Sequence, residues 1–128
     1  QLPLRHIVLG VLSRAKTSGV SEIPTRTFYR AFAHMAGVYR EILPPVIFRT
    51  DGFNPYSKRL EDALNSHIAI SVDITIHGNL TMQFDAASRS MGWLGEKYGQ
   101  DTVSILESVT DAFIEGLAVP DALMITTS

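Results

Sequence analysis

Residues 67–85 read HIAISVDITIHGNLTMQFD, and this stretch decides the fold. Ile68, Ile70, Val72, Ile74 and Ile76 alternate with His67, Ala69, Ser71, Asp73, Thr75 and His77. That strict period of two predicts a strand with one buried face. Leu80, Met82 and Phe84 alternate with Thr81, Gln83 and Asp85 in the same way. A two-residue loop at Gly78-Asn79 would set Ile76 against Thr81 and mix the faces. A three-residue loop, His77-Gly78-Asn79, sets Ile76 against Leu80, Ile74 against Met82 and Val72 against Phe84. A slip of one residue would move a whole apolar face into water, so the second register is expected, with 68–76 and 80–85 as the arms. Gly78 or Asn79 supplies the left-handed residue of that loop.

Helices are expected on both sides of this hairpin. Leu4, Ile7, Val8, Val11, Leu12 and Ala15 form one stripe, which predicts a helix over 3–17 closed by Ser18-Gly19. A second starts near Pro24, carries Phe28, Phe32, Met35, Tyr39 and Ile42 inward, and stops at Pro44-Pro45. Val46 to Phe48 reads as a short strand and 49–55 as a loop. A third helix runs from Pro55 or Tyr56 to about Ser66 with Leu60 and Leu64 inward. Beyond the hairpin, Asp85 is placed to cap a helix from 86 to about 98 that buries Ala87, Met91, Leu94 and Tyr98. Asp101 is placed to cap a fifth, which buries Val103, Leu106, Val109, Phe113 and Leu117 and ends at Pro120. Residues 120–128 lack a period and read as a flexible tail.

This order predicts an α+β fold: a winged helix-turn-helix domain with two extra C-terminal helices. It forms a single domain over 1–128, with 1–85 as helices plus wing and 86–119 as a helical pair. The stretch Phe48 to Leu64, FRTDGFNPYSKRLEDAL, resembles prokaryotic winged-helix proteins typified by YwgA-like and phage-associated SocA-like antitoxin domains. Those have an apolar strand, a Gly-Pro-Tyr-Ser turn and a helix of the form S-x-x-L-x-x-x-L ahead of the wing. Asn54-Pro55-Tyr56-Ser57 with Leu60 and Leu64 follows that outline, with Asn54 where those proteins have Gly. The resemblance implies a winged-helix fold and hints at a phage, plasmid or toxin–antitoxin setting.

Charge narrows the function classes. Of residues 1–59, nine are basic and three acidic; of the last 69, two are basic and ten acidic, giving +6 and −8. Such a field points to a partner, a paired subunit, or both. Cys is absent, which removes disulfides, thiolate metal sites and Cys nucleophiles and fits a cytoplasmic protein. No apolar run approaches the roughly 20 residues needed to cross a bilayer. There is no phosphate-binding Gly-rich loop and no G-x-S-x-G or S-x-x-K motif, so neither enzyme activity nor a cofactor is expected. An active site assembled from Asp51, Tyr56 and His34 is the enzymatic alternative. His67 and His77 share a strand face but would lie some 30 Å apart on a straight strand, so no metal site is expected.

Two surfaces remain. Lys58 and Arg59 fall in the first turn of the third helix, the base-reading position of this skeleton, with Ser57 beside them. Arg26, Arg30 and His34 recur every four residues on the second helix, and His77 and Asn79 sit at the wing tip. Arg26, Arg30, Ser57, Lys58, Arg59, His77 and Asn79 are therefore the candidate nucleic-acid contacts of a sequence-specific DNA-binding regulator. Against DNA stand a pI near 6.1 and the acids Asp51, Glu61 and Asp62. The alternative is a protein–protein module on the same scaffold that has lost DNA binding, with Glu107, Asp111 and Glu115 as an acidic docking face. A homodimer is expected through the broad apolar surface of the fifth helix, with Trp93, Ile105, Phe113 and Ile114 as interface residues.

Overall fold

The computed structural model describes residues 2–40 and 57–118. Among them are five helices and a three-stranded antiparallel sheet: α1 Leu4–Thr17, β1 Glu22–Pro24, α2 Thr25–Val38, α3 Lys58–Asn65, β2 Asp73–Ile74, β3 Asn79–Thr81, α4 Phe84–Tyr98 and α5 Gln100–Leu117. The strand order is β1-β3-β2. The fold is α+β and is compatible with the winged helix expected from the sequence.

The helices form where their apolar periods place them. Leu4, Ile7, Val8, Val11, Leu12 and Ala15 are all buried, and so are Leu9, Gly10 and Ser13. That leaves little of α1 wet, because α3, α4 and α5 all pack against it. Phe28, Phe32 and Met35 of α2 and Phe113 of α5 are all fully buried where the two helices pack, with the Phe28 and Phe113 rings edge to face at 5.8 Å between centroids. Buried side chains of all five helices, with Ile23, Leu80 and Met82, make one core.

Glycines allow one of these approaches and one of the turns. A methyl group at Gly116 would sit 2.9 Å from the Cα of Ala31, so α5 crosses α2 nearly backbone to backbone there. Gly78 has φ +78° and supplies the left-handed position of the turn before β3.

The hairpin departs from expectation. Only Asp73 and Ile74 form strand, with Ile74 opposite Leu80 and Asp73 opposite Thr81. The loop is 75–78, and the register differs by two residues from the expected one. An even shift keeps the alternation of faces, so Ile74 still shares a side with Leu80. The long first arm fails for want of a partner in β3, which ends at Thr81 with α4 beginning at Phe84, so β3 offers nothing opposite 68–72. Those residues fold back on themselves, with the amides of Ile70, Ser71 and Val72 donating to the His67 carbonyl and Ala69 at φ +68°. Val72 is buried in the core and Ile68 packs partly buried against it. Ile70 and Ile76 stay 82 % and 97 % exposed, and Phe84 is the first residue of α4.

Other corrections are local. β1 was not expected; it pairs with β3 by setting Ile23 opposite Leu80. The helix caps also shift: Gln83, not Asp85, precedes α4, and Gly99, not Asp101, precedes α5, so each Asp lies in the first turn of its helix. There a carboxylate still favours the helix dipole. Helix α3 begins at Lys58, capped by the Ser57 hydroxyl, which accepts from the Leu60 amide at 3.2 Å. The expected strand over 46–48, the loop 49–55, Ile42, Pro44-Pro45, Asn54 to Tyr56 and the tail lie outside the described residues.

Candidate functional site

The proposed base-reading helix is neutral over its length, since Lys58 and Arg59 are followed by Glu61 and Asp62. Lys58 is exposed, yet its Nζ donates to Glu61 at 3.1 Å and lies 3.2 Å from Asp62. Hydrogen bonds to Glu61 and then Asp62 raise its pKa above the ordinary lysine value. These pairs follow from helical spacings of three and four residues. A phosphate would have to compete with two carboxylates already in place. Arg59 is exposed at a groove of about 330 Å³ that it shares with Pro3, Leu4, Arg5, Asp62, Ala63 and Ser66.

The other expected contacts scatter. Ser57 is buried and serves as the α3 cap. Arg30 is also buried, against the expectation of a wet basic face. Burial and the nearby Arg26 lower its pKa from the ordinary guanidinium value. Arg26 remains exposed in the first turn of α2. His77 is exposed in the wing turn, while the Asn79 side chain donates to Glu22 at 3.2 Å. Thus β1, which the sequence reading missed, places an acid beside the wing residue expected to meet nucleic acid.

The expected dimer surface also changes. Helix α5 packs against α1, α2 and α4, so most of its apolar width faces its own core. Phe113 is fully buried and is a core residue rather than an interface residue; Ile114 is half-buried, and Ile105 is 41 % exposed. The acidic face is partly answered within the chain. Glu107 lies 3.1 Å from Arg14, and Glu115 lies 3.9 Å from His34. Asp111 is exposed.

Sequence reasoning did not find a groove of mixed polar and apolar lining between the 70–71 turn and α4. It has a volume of about 220 Å³ and is lined by Leu9, Ile70, Ser71, Ala86, Arg89, Ser90 and Trp93. Ile70 and Trp93 are its exposed apolar walls, and Arg89 is the one charged residue lining it. The signal in the sequence is the excess of isoleucines over 68–76, which strict alternation assigns to the inner face of a strand. Trp93 is fixed from both sides, edge to face with His6 at 5.0 Å and beneath the Lys97 ammonium at 5.6 Å.

His67 donates from Nε2 to the Arg5 carbonyl at 2.7 Å. It sits on a turn rather than a straight strand, so the separation argument does not apply to it. Among the described residues no group of three His, Asp or Glu could hold a metal ion, and no helix is long and apolar enough to cross a membrane. No family model, curated protein or solved structure matches the sequence.

Proposed function

We propose that this chain is a non-enzymatic winged-helix module that binds another protein, its wing-side groove taking an apolar side chain of the partner. The observation that carries this reading is the Ile70–Trp93 groove, where an exposed aliphatic residue and an anchored aromatic flank a cavity with a single cation, Arg89. Large apolar side chains held open to water are a feature of protein-binding surfaces, and Trp is prominent among residues that dominate binding energy. The complementary partner segment has an aliphatic or aromatic anchor with a carboxylate near it to meet Arg89.

DNA binding by a small regulator is the second reading, in the phage or antitoxin setting that the sequence resemblance implies. The element order favours it: β1 between α1 and α2, strand order β1-β3-β2, and α3 ahead of the wing. The charge of α3 weakens it, because non-specific affinity for DNA comes from unpaired cations that displace counterions.

Purification from the source organism separates the two. A stoichiometric protein lost on Ile70→Asp and kept on Arg59→Ala is the expected result. Co-purifying DNA, with retention on DNA fragments that falls steeply with salt and is lost on Arg59→Ala, would establish the second reading and remove the first. Ile70 is exposed, so its substitution leaves the core intact.

A further inference from the structure

His6 and Lys97 share two aromatic rings. His6, in the first turn of α1, stands edge to face with Trp93 at 5.0 Å and tilted against Tyr98 at 5.6 Å between ring centroids. Its Nδ1 is hydrogen-bonded to the Tyr98 hydroxyl. The Lys97 ammonium lies over the same two rings, 5.6 Å from the Trp93 centroid and 5.7 Å from that of Tyr98. The packing of α1 on α4 thus brings two basic side chains onto one aromatic pair, and Trp93 of that pair also walls the groove at Ile70.

With His6 neutral, one cation faces the negative faces of the rings, which is a favourable arrangement. A proton on His6 would bring a second. Among the described residues, the charges acting on His6 come from Arg5 of its own helix, Lys97 of α4 and His67 of the turn after α3, all of them basic. Tyr98, the other titratable group in contact with it, is a neutral phenol at these pH values. Burial first, and then those charges, hold the His6 pKa below 6.5. The two cations would not yield equally. His6 is half-buried and tied to the Tyr98 hydroxyl, whereas Lys97 is exposed on a flexible four-carbon stem. Lys97 is therefore the group that moves. We infer that the cluster is a pH-operated catch on Trp93: neutral His6 leaves Lys97 seated over Trp93 and Tyr98, and protonated His6 drives it off into solvent. The catch would regulate the groove proposed above as a docking site, and it rests on that reading for its use alone. Its test needs no partner, so either can fail without the other.

Proton NMR of the intact chain, titrated from about pH 8 to about pH 5, follows both groups. Ring currents should hold the Lys97 ε-methylene protons upfield of an exposed lysine at the alkaline end. Those protons should return to the exposed-lysine position with the same midpoint as the His6 Hε1 proton, below 6.5. Trp93 is the single tryptophan, so fluorescence should give that midpoint too. In His6→Gln, whose amide can still bond the Tyr98 hydroxyl, the Lys97 protons should stay upfield throughout. In Lys97→Gln the His6 midpoint should rise, because one opposing charge is gone. Lys97 protons that stay put while His6 titrates, or that move alike in His6→Gln, overturn the inference. So does a loss of helical circular dichroism with the same midpoint, since unfolding would then account for the release. Should His6→Gln fail to fold, the wild-type titration and Lys97→Gln still decide it.

Discussion

Replacing Gly116 with Ala tests the close approach of α5 to α2. In a helix interior, Gly to Ala should stabilise by about 1 kcal/mol through backbone entropy alone. At Gly92, in the middle of α4, a Cβ would meet nothing within 4 Å, so Gly92→Ala should show that gain. At Gly116 the new methyl would stand 2.9 Å from the Ala31 Cα, 3.1 Å from the His34 Cβ and 3.2 Å from the Ala31 carbonyl oxygen. Two of those three atoms are backbone, so relief requires α5 to move off α2. Overpacking of this kind costs about 1–3 kcal/mol, which exceeds the propensity gain. Gly116→Ala should therefore be destabilised by about 1 kcal/mol net, and should lie some 2 kcal/mol below Gly92→Ala. In a domain of this size that gap is roughly 8 °C in melting temperature. Urea titration followed by circular dichroism, with equal slopes for both variants, measures it. If Gly116→Ala is as stable as Gly92→Ala, the α2–α5 approach is not as described.

Two further predictions concern local features. His6 is hydrogen-bonded to Tyr98, and burial first, then the charges of Arg5, Lys97 and His67, hold its pKa below 6.5. The unfolded chain then takes up the proton first, so stability is full above about pH 6.5 and falls as pH drops from there towards the lowered folded value. His6→Gln should flatten that slope in urea midpoints; an unchanged slope would assign it to other groups. Gly78→Ala places a side chain at φ +78° and should cost about 1 kcal/mol or more, whereas Gly78→Asn, better suited to that region, should cost less. Equal midpoints for the three proteins would count against the left-handed turn.

The helices were legible because each carries a complete local signal. The Leu4–Ala15 stripe, the Phe28–Phe32–Met35 series and the Leu106–Val109–Phe113 series are buried as their period requires. The hairpin was half legible. Alternation fixed which residues share a face, and the two-residue shift in register left that intact. Strand length was not legible, because a strand lasts only as long as its neighbour, and the start of α4 at Phe84 limits β3. Strand β1 left almost no trace, with Ile23 its one buried residue. The candidate site was least legible. Lys58 and Arg59 read as free cations in sequence, but the following Glu61 and Asp62 fall within reach of Lys58 one helical turn on. Arg30 lies off the apolar stripe of α2 and is still buried, which helical periodicity alone does not foretell.

The burial of α1 has a consequence for synthesis. Gly10 packs against Leu106, 96 residues further along the chain, and Leu94 lies beside the same position. At about 5–20 residues per second, α1 waits roughly 5–20 s between its own emergence and that of the side chains that cover it. During that interval Leu4, Ile7, Val8, Val11 and Leu12 face water or whatever apolar surface is nearby. On the ribosome, then, the order of translation, and not the strength of the finished core, sets how long this apolar face stays uncovered.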